Sequence, residues 1–190
     1  MRKNFGVKPL TYPQPVYIIG TYDENGVPDA MNAAWGGISG RDEISFCLGK
    51  NHKTVKNLKE TGEFTCSMGT EEMLLACDFA GIASGNTDPE KFVKSGFHAE
   101  KSPFVNAPLI AELPLALECR VKVYDDETGI LRGEILNVSA DTSILTDGNI
   151  DAEKLSPIIF DPAHLTYRTL GKEIGKAFSD GKALMGKNHE

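Results

Sequence analysis

Three short segments carry residue types that can hold a small charged ligand. In Met31-Asn32-Ala33-Ala34-Trp35-Gly36-Gly37, two alanines and two glycines let a flat molecule approach the backbone. Main-chain N–H groups there can bond the edge of a heterocycle, with Trp35 beside it. Taken alone, the segment is read more readily as the sole tryptophan packing in a core with small neighbours. Lys50-Asn51-His52-Lys53-Thr54 lies between a strand and a helix, where free helix N–H groups, a hydroxyl and basic side chains can together bind a phosphate. The competing reading is a solvated loop with Thr54 as an N-cap. The third segment runs from Ala83 through Ser84, Gly85 and Asn86 to Lys91 and Phe92. A polar Gly turn can wrap an anion and Lys91 can reach it as a point charge; otherwise this is a surface loop between helices. Cys47, Cys66, Cys77 and Cys119 form no C-x-x-C pair and have no nearby His pair, so no metal site is assigned. Buried free thiols are expected, and no residue is assigned as catalytic.

The elements that must position these segments follow from periodicity. Val16 to Thr21 is β-branched or aromatic, and Asp23-Glu24-Asn25-Gly26 is a turn signal before Met31 to Trp35, which predicts a β-hairpin. Glu43 to Leu48 and Glu63 to Met68 each alternate polar with apolar residues, and His52 to Thr61 between them places Val55 and Leu58 on one helical face, ending near Gly62. Thr70 is expected to open a second helix, with Glu71 and Glu72 in its first turn, and Asp88-Pro89 a short third one. Leu115 to Tyr124 and Ile130 to Val138 are the longest alternating strands, joined by a turn at Asp125 to Gly129. About seven strands with only short helices predict a mainly β, closed or nearly closed antiparallel barrel. Regular β-α alternation, a G-x-G-x-x-G and a P-loop are all absent from the sequence.

The 190 residues are 41% hydrophobic and 25% charged, enough for one domain with its own core. The net charge of −7 argues against a general nucleic-acid binder while leaving room for a local anion pocket. No apolar run approaches the length of a membrane span, and Asn4, Gly6 and Pro9 break any signal-like h-region, so the mature chain is expected to start at Met1. A cytoplasmic location is expected, with one domain over 1–180 and a flexible Gly/Lys-rich tail over 181–190.

Taken in order along the chain, these segments resemble the flavin reductase-like FMN-binding split barrels, and most of all their flavoredoxin branch. The resemblance runs through Pro15 to Tyr22, Asn32 to Gly37, Lys53-Thr54 with Asn57-Leu58, Asp78 to Gly85 with Lys91-Phe92, Pro114-Leu115, Gly133-Glu134-Ile135 and Tyr167 to Gly171. It implies a six-stranded antiparallel Greek-key split barrel, a homodimer and one non-covalent FMN per subunit. Asn32, Ala33, Ala34 and Trp35 would line the isoalloxazine. Lys53 and Thr54, helped by Lys50 and His52, would take the phosphate, with Ser84, Gly85 and Lys91 completing the phosphate and ribityl side and Phe160 near the ring. Many members that oxidise NADH or NADPH carry a His where this chain has Thr128. The implied function is flavoredoxin-type electron transfer, with a redox partner protein as one candidate donor. An NAD(P)H:flavin oxidoreductase serving a partner, and a flavin- or phosphate-ligand-binding protein without turnover, are the alternatives.

Overall fold

The two longest alternating stretches lie at the centre of the architecture. The structure, a computed structural model, describes residues 1–185. Its principal strands are β1 (Tyr17–Tyr22), β2 (Pro28–Ala33), β3 (Gly36–Ile38), β4 (Glu43–Cys47), β5 (Glu63–Met68), β6 (Leu115–Tyr124) and β7 (Ile130–Ala140). They form one antiparallel sheet in the order β2-β1-β5-β6-β7-β4-β3. The sheet therefore counts seven strands, the three-residue β3 being the addition to the six of the barrel that the resemblance implies.

Connectivity shows that the sheet must curl. Strands β2 and β3 occupy its opposite edges, yet only Ala34 and Trp35 separate them in the chain. Three Cα–Cα steps span at most about 11 Å, so the two edges must be brought together. Register shifts in the β6–β7 ladder, at Arg132/Gly133 and between Ile135 and Asn137, supply local curvature. Gly133 is required within that bend, because a Cβ there would run into the Phe64 ring. Half of the split barrel is thus closed by two residues, and they belong to the first ligand-binding candidate.

Both faces of β1 are buried. Tyr17 and Ile19 join Phe46, Val55, Leu58 and Phe64 in the barrel core, while Val16 and Ile18 join Cys77, Ala80, Phe92 and Ile158 in a second core on the other face. The helix α1 (Lys53–Thr61) closes the first core, ending at Gly62 in the left-handed region with φ 74°. Helices α2 (Leu74–Ile82) and α3 (Lys91–Lys94) cover the second. Helix α2 starts three residues later than expected, with Met73 and not Thr70 at its N-cap: Thr70 is drawn into a β-bridge with Pro157, and the Glu71 N–H donates to the Ser156 carbonyl. Beyond the short helix α4 (Ala152–Leu155), strands β8 (Ile158–Asp161) and β9 (Thr166–Thr169) form a small sheet with Gln14–Pro15. Among the described residues no helix is long and apolar enough to cross a membrane. Part of the expected tail, through Leu184, forms an exposed 3-10 turn, and residues 186–190 lie outside the described residues.

Candidate functional site

Where β2 leaves the sheet, a cleft of about 910 Å³ opens between Asn32–Trp35, the β4–α1 connection, the C-terminal half of α2, and the β8–β9 pair. Nine of the twelve sequence-nominated residues line it: Asn32, Ala33, Ala34, Trp35, Lys50, His52, Ser84, Lys91 and Phe160. The first segment is held rigidly on one side, since Asn32 Nδ2 donates to the Cys77 carbonyl at 3.0 Å and Gly81 leaves just enough room for the Asn32 Cβ. Trp35 is 42% exposed, so it stands at the mouth instead of in the core. Phe160 meets Tyr167 at 6.1 Å between ring centroids and forms an aromatic wall. Small side chains on one flank and aromatic ones on the other make a slot suited to a flat ring.

The second and third segments converge at the other end. Asn86 Nδ2 donates to the Asn51 carbonyl at 2.8 Å, which ties the Ser84–Asp88 turn to the loop before α1. Helix α1 has no side-chain cap at His52, leaving first-turn N–H groups available to an anion. Lys50 and His52 are exposed, and Lys91 lies deeper, at 4% exposure. Lys53, Lys56, Lys59, Lys94 and Lys122 are each paired with a carboxylate, whereas Lys91 has no such pairing among the described residues. Burial pulls the Lys91 ammonium below the usual lysine value, with Asp29 opposing it from beyond ion-pair distance. A buried cation facing a cleft, offset only by the Asp29 carboxylate from beyond ion-pair distance, is a costly arrangement that an anionic ligand would relieve.

Three nominated residues stand elsewhere. Lys53 turns away to Asp23, at 3.3 Å. Thr54 is 1% exposed and its hydroxyl donates to Asp29 Oδ2 at 2.5 Å, because the start of α1 packs directly on β2. Gly85 lies behind the cleft wall, where a Cβ would sit 2.5 Å from Asp29 Oδ1. These residues shape the anion end from behind. Cys47 corrects the expectation of buried thiols: Ile44 and Phe46 take the core-facing positions of β4, so Cys47 faces out and lines the cleft. The other three cysteines are buried.

Asp78 and Tyr167 are among the lining residues that sequence reasoning did not nominate. Tyr167 donates to Asp78 Oδ1 at 2.7 Å, with Asn32 close to the same hydroxyl. Burial and the Asp78 carboxylate hold the Tyr167 phenol well above its ordinary value, so it stays a proton donor. The usable signal was Asp78 itself, a lone acid in the otherwise apolar run Leu74 to Ile82. Thr128 does not line the cleft, although its carbonyl is 3.9 Å from Cys47 Sγ on the rim.

Against this geometry, the flavin reductase-like domain family model matches residues 10–163. The chain belongs to that family, whose members are associated with flavin-dependent redox chemistry. More particularly, it is similar to the flavoredoxin of Desulfovibrio vulgaris (Miyazaki F), with 36% identity over 95% of this chain and all of that one, and a TM-score of 0.90. The flavoredoxin from Methanosarcina acetivorans is 25% identical, covering 97% of this chain and all of its own, with a TM-score of 0.87. Nitrilotriacetate monooxygenase component B from Bacillus cereus shares the fold at 19% identity and a TM-score of 0.76, over 93% of this chain and all of its own. A protein of Aquifex aeolicus of undescribed function is 28% identical over 91% of this chain and 89% of its own length.

Proposed function

We propose that this chain is an FMN-binding redox protein of the flavoredoxin type. The observation that carries the reading is Lys91, a buried and unpaired ammonium facing a cleft whose opposite end is a flat slot of small and aromatic residues. That charge asks for an anion, and the slot asks for a planar ring. FMN joins the two within one molecule.

In this reading Lys91, Lys50, His52 and Ser84 hold the phosphate together with the first-turn N–H groups of α1. Asn32 is fixed by the Cys77 carbonyl, so it and the Ala33–Ala34 backbone present a preset edge to the ring. Trp35 and Phe160 cover the ring and exclude water from it. Thr54 and Gly85 keep Asp29 in place behind the phosphate end. When bound, the flavin supplies the electron-transfer chemistry, and the protein's part is binding, orientation and electrostatics. The same reading includes a homodimer, which would cover the exposed Leu75 and Ile82 of α2 beside the cleft.

The test is an anaerobic absorption spectrum of the purified protein with FMN, before and after NADH and then NADPH. Binding without bleaching by either nucleotide is expected, pointing to a protein electron donor. Rapid bleaching would make it an NAD(P)H-dependent reductase despite Thr128. Failure to bind flavin would overturn the proposal.

A further inference from the structure

Among the described residues, Asp78 is the one carboxylate lining the cleft, and its placement runs against the purpose assigned to that cleft. A site that collects cations for an anionic ligand gains nothing in affinity from a negative charge. No lysine, arginine or histidine pairs with Asp78 in the described residues; its partner is the phenol of Tyr167 at 2.7 Å. Both are half-buried: the Tyr167 ring packs on the edge of the second core, while the Asp78 carboxylate is left to face the cleft. The pair stands on the Asn32 side of the cleft, where Asn32 Nδ2 also donates to the Cys77 carbonyl. Tyr167 packs against Phe160, and its hydroxyl neighbours Asn32, the two residues read as flanking the ring.

We propose that Asp78, positioned by Tyr167, sets the reduction potential of the bound flavin by placing a fixed negative charge beside its ring. This rests on the flavin-binding reading above. Reduction of an oxidised flavin by two electrons with uptake of one proton leaves a net negative charge on the ring. A neighbouring carboxylate therefore weakens binding of the reduced form more than that of the oxidised form, which lowers the potential. Among the lining residues the basic side chains of Lys50, His52 and Lys91 belong to the segments read as holding the phosphate, whereas Asp78 stands beside Asn32 and Tyr167; the other nearby carboxylate, Asp29, lies behind the phosphate end next to Thr54 and Gly85. A unit charge within roughly 10 Å of the ring, at an effective dielectric of about 20, changes the ratio of the two affinities by about tenfold or more. For a two-electron couple a tenfold change is about 30 mV.

The experiment is an anaerobic potentiometric titration of the FMN-loaded protein with dithionite and a reference dye, for wild type, Asp78→Asn, Tyr167→Phe and the double variant that combines them. Asn keeps an acceptor for the Tyr167 hydroxyl and almost the same shape, so the change isolates charge. Asp78→Asn is expected to shift the midpoint positive by about 30 mV or more, equivalent to about tenfold or more tighter relative binding of reduced flavin. Tyr167→Phe is expected to move the midpoint when residue 78 is Asp and to leave it unmoved when residue 78 is Asn. An unchanged or more negative midpoint in Asp78→Asn overturns the inference while leaving the flavin-binding reading intact. So does loss of oxidised flavin by folded Asp78→Asn, which would make Asp78 a direct ligand contact. Equal shifts from Tyr167→Phe in both backgrounds, or no shift in either, would remove Tyr167 as the positioning residue. A wild-type chain that takes up no flavin overturns the functional reading and this inference together.

Discussion

Replacing Lys91 by Met should move ligand affinity and protein stability in opposite directions. Lys91 is 4% exposed, carries a charge that burial disfavours, and has no ion-pair partner among the described residues. A charge-assisted hydrogen bond to a phosphate contributes about 1.5–3 kcal/mol, so FMN affinity should fall roughly ten- to 150-fold. Riboflavin lacks the phosphate, and its affinity should change less than about threefold. Met fills a similar volume without a charge to desolvate, so the ligand-free variant should be more stable by about 1 kcal/mol or more, or about 2–4 °C in Tm. The pH dependence has a defined sign. The folded Lys91 value lies below its ordinary 10.5, so the unfolded chain binds more protons between the two. The stability advantage of Lys91→Met is thus full below the folded value and closes as pH rises toward 10.5. Fluorescence titrations with FMN and riboflavin, and thermal melts across alkaline pH, measure all three quantities. Equal losses for the two flavins, or a variant that melts lower than wild type, would refute the assignment of Lys91 to an anion.

Thr54→Val removes the donor to Asp29, a carboxylate 3% exposed, and should cost about 1–3 kcal/mol in urea unfolding. A variant as stable as wild type would contradict the support role given to this pair. Thiol labelling of the native protein should modify Cys47 quickly and Cys66, Cys77 and Cys119 only after unfolding. Burial raises the last three thiols, Cys77 to about 11 and Cys119 to about 12. Hydrogen bonds from Arg132 and then Lys122 hold Glu43 down to about 2 from its ordinary 4.5, so its contribution to stability is present above 4.5 and lost as pH falls toward 2. Acid unfolding of Glu43→Gln should therefore lack part of the wild-type dependence across that window, and superimposable profiles would contradict the pairing.

How much of this was legible beforehand depended on how local each signal was. Strands β5 and β6 fall at their expected bounds because alternation within a strand fixes which side chains share a face. The α1 span was equally readable from Val55, Leu58 and Gly62. Trp35 was not, because its exposure depends on where β2 and β3 lie at opposite edges of a curled sheet, a fact set by pairings far along the chain. Thr54 has the residue type of an anion ligand, but its closest partner, Asp29, is 25 positions away and claims its hydroxyl. Asp78 and Tyr167 meet across 89 positions, through packing of the small sheet on α2. Cys47 was the avoidable miss: the alternation that buries Ile44 and Phe46 already places it on the opposite face.

The most direct measurement is an equilibrium mixture of the purified chain with FMN, passed through gel filtration and read by visible absorption of the protein peak. The account predicts flavin co-eluting in equimolar amount with the chain, and a peak position that reports the homodimer. A protein peak free of flavin, with unquenched FMN eluting separately, would contradict it.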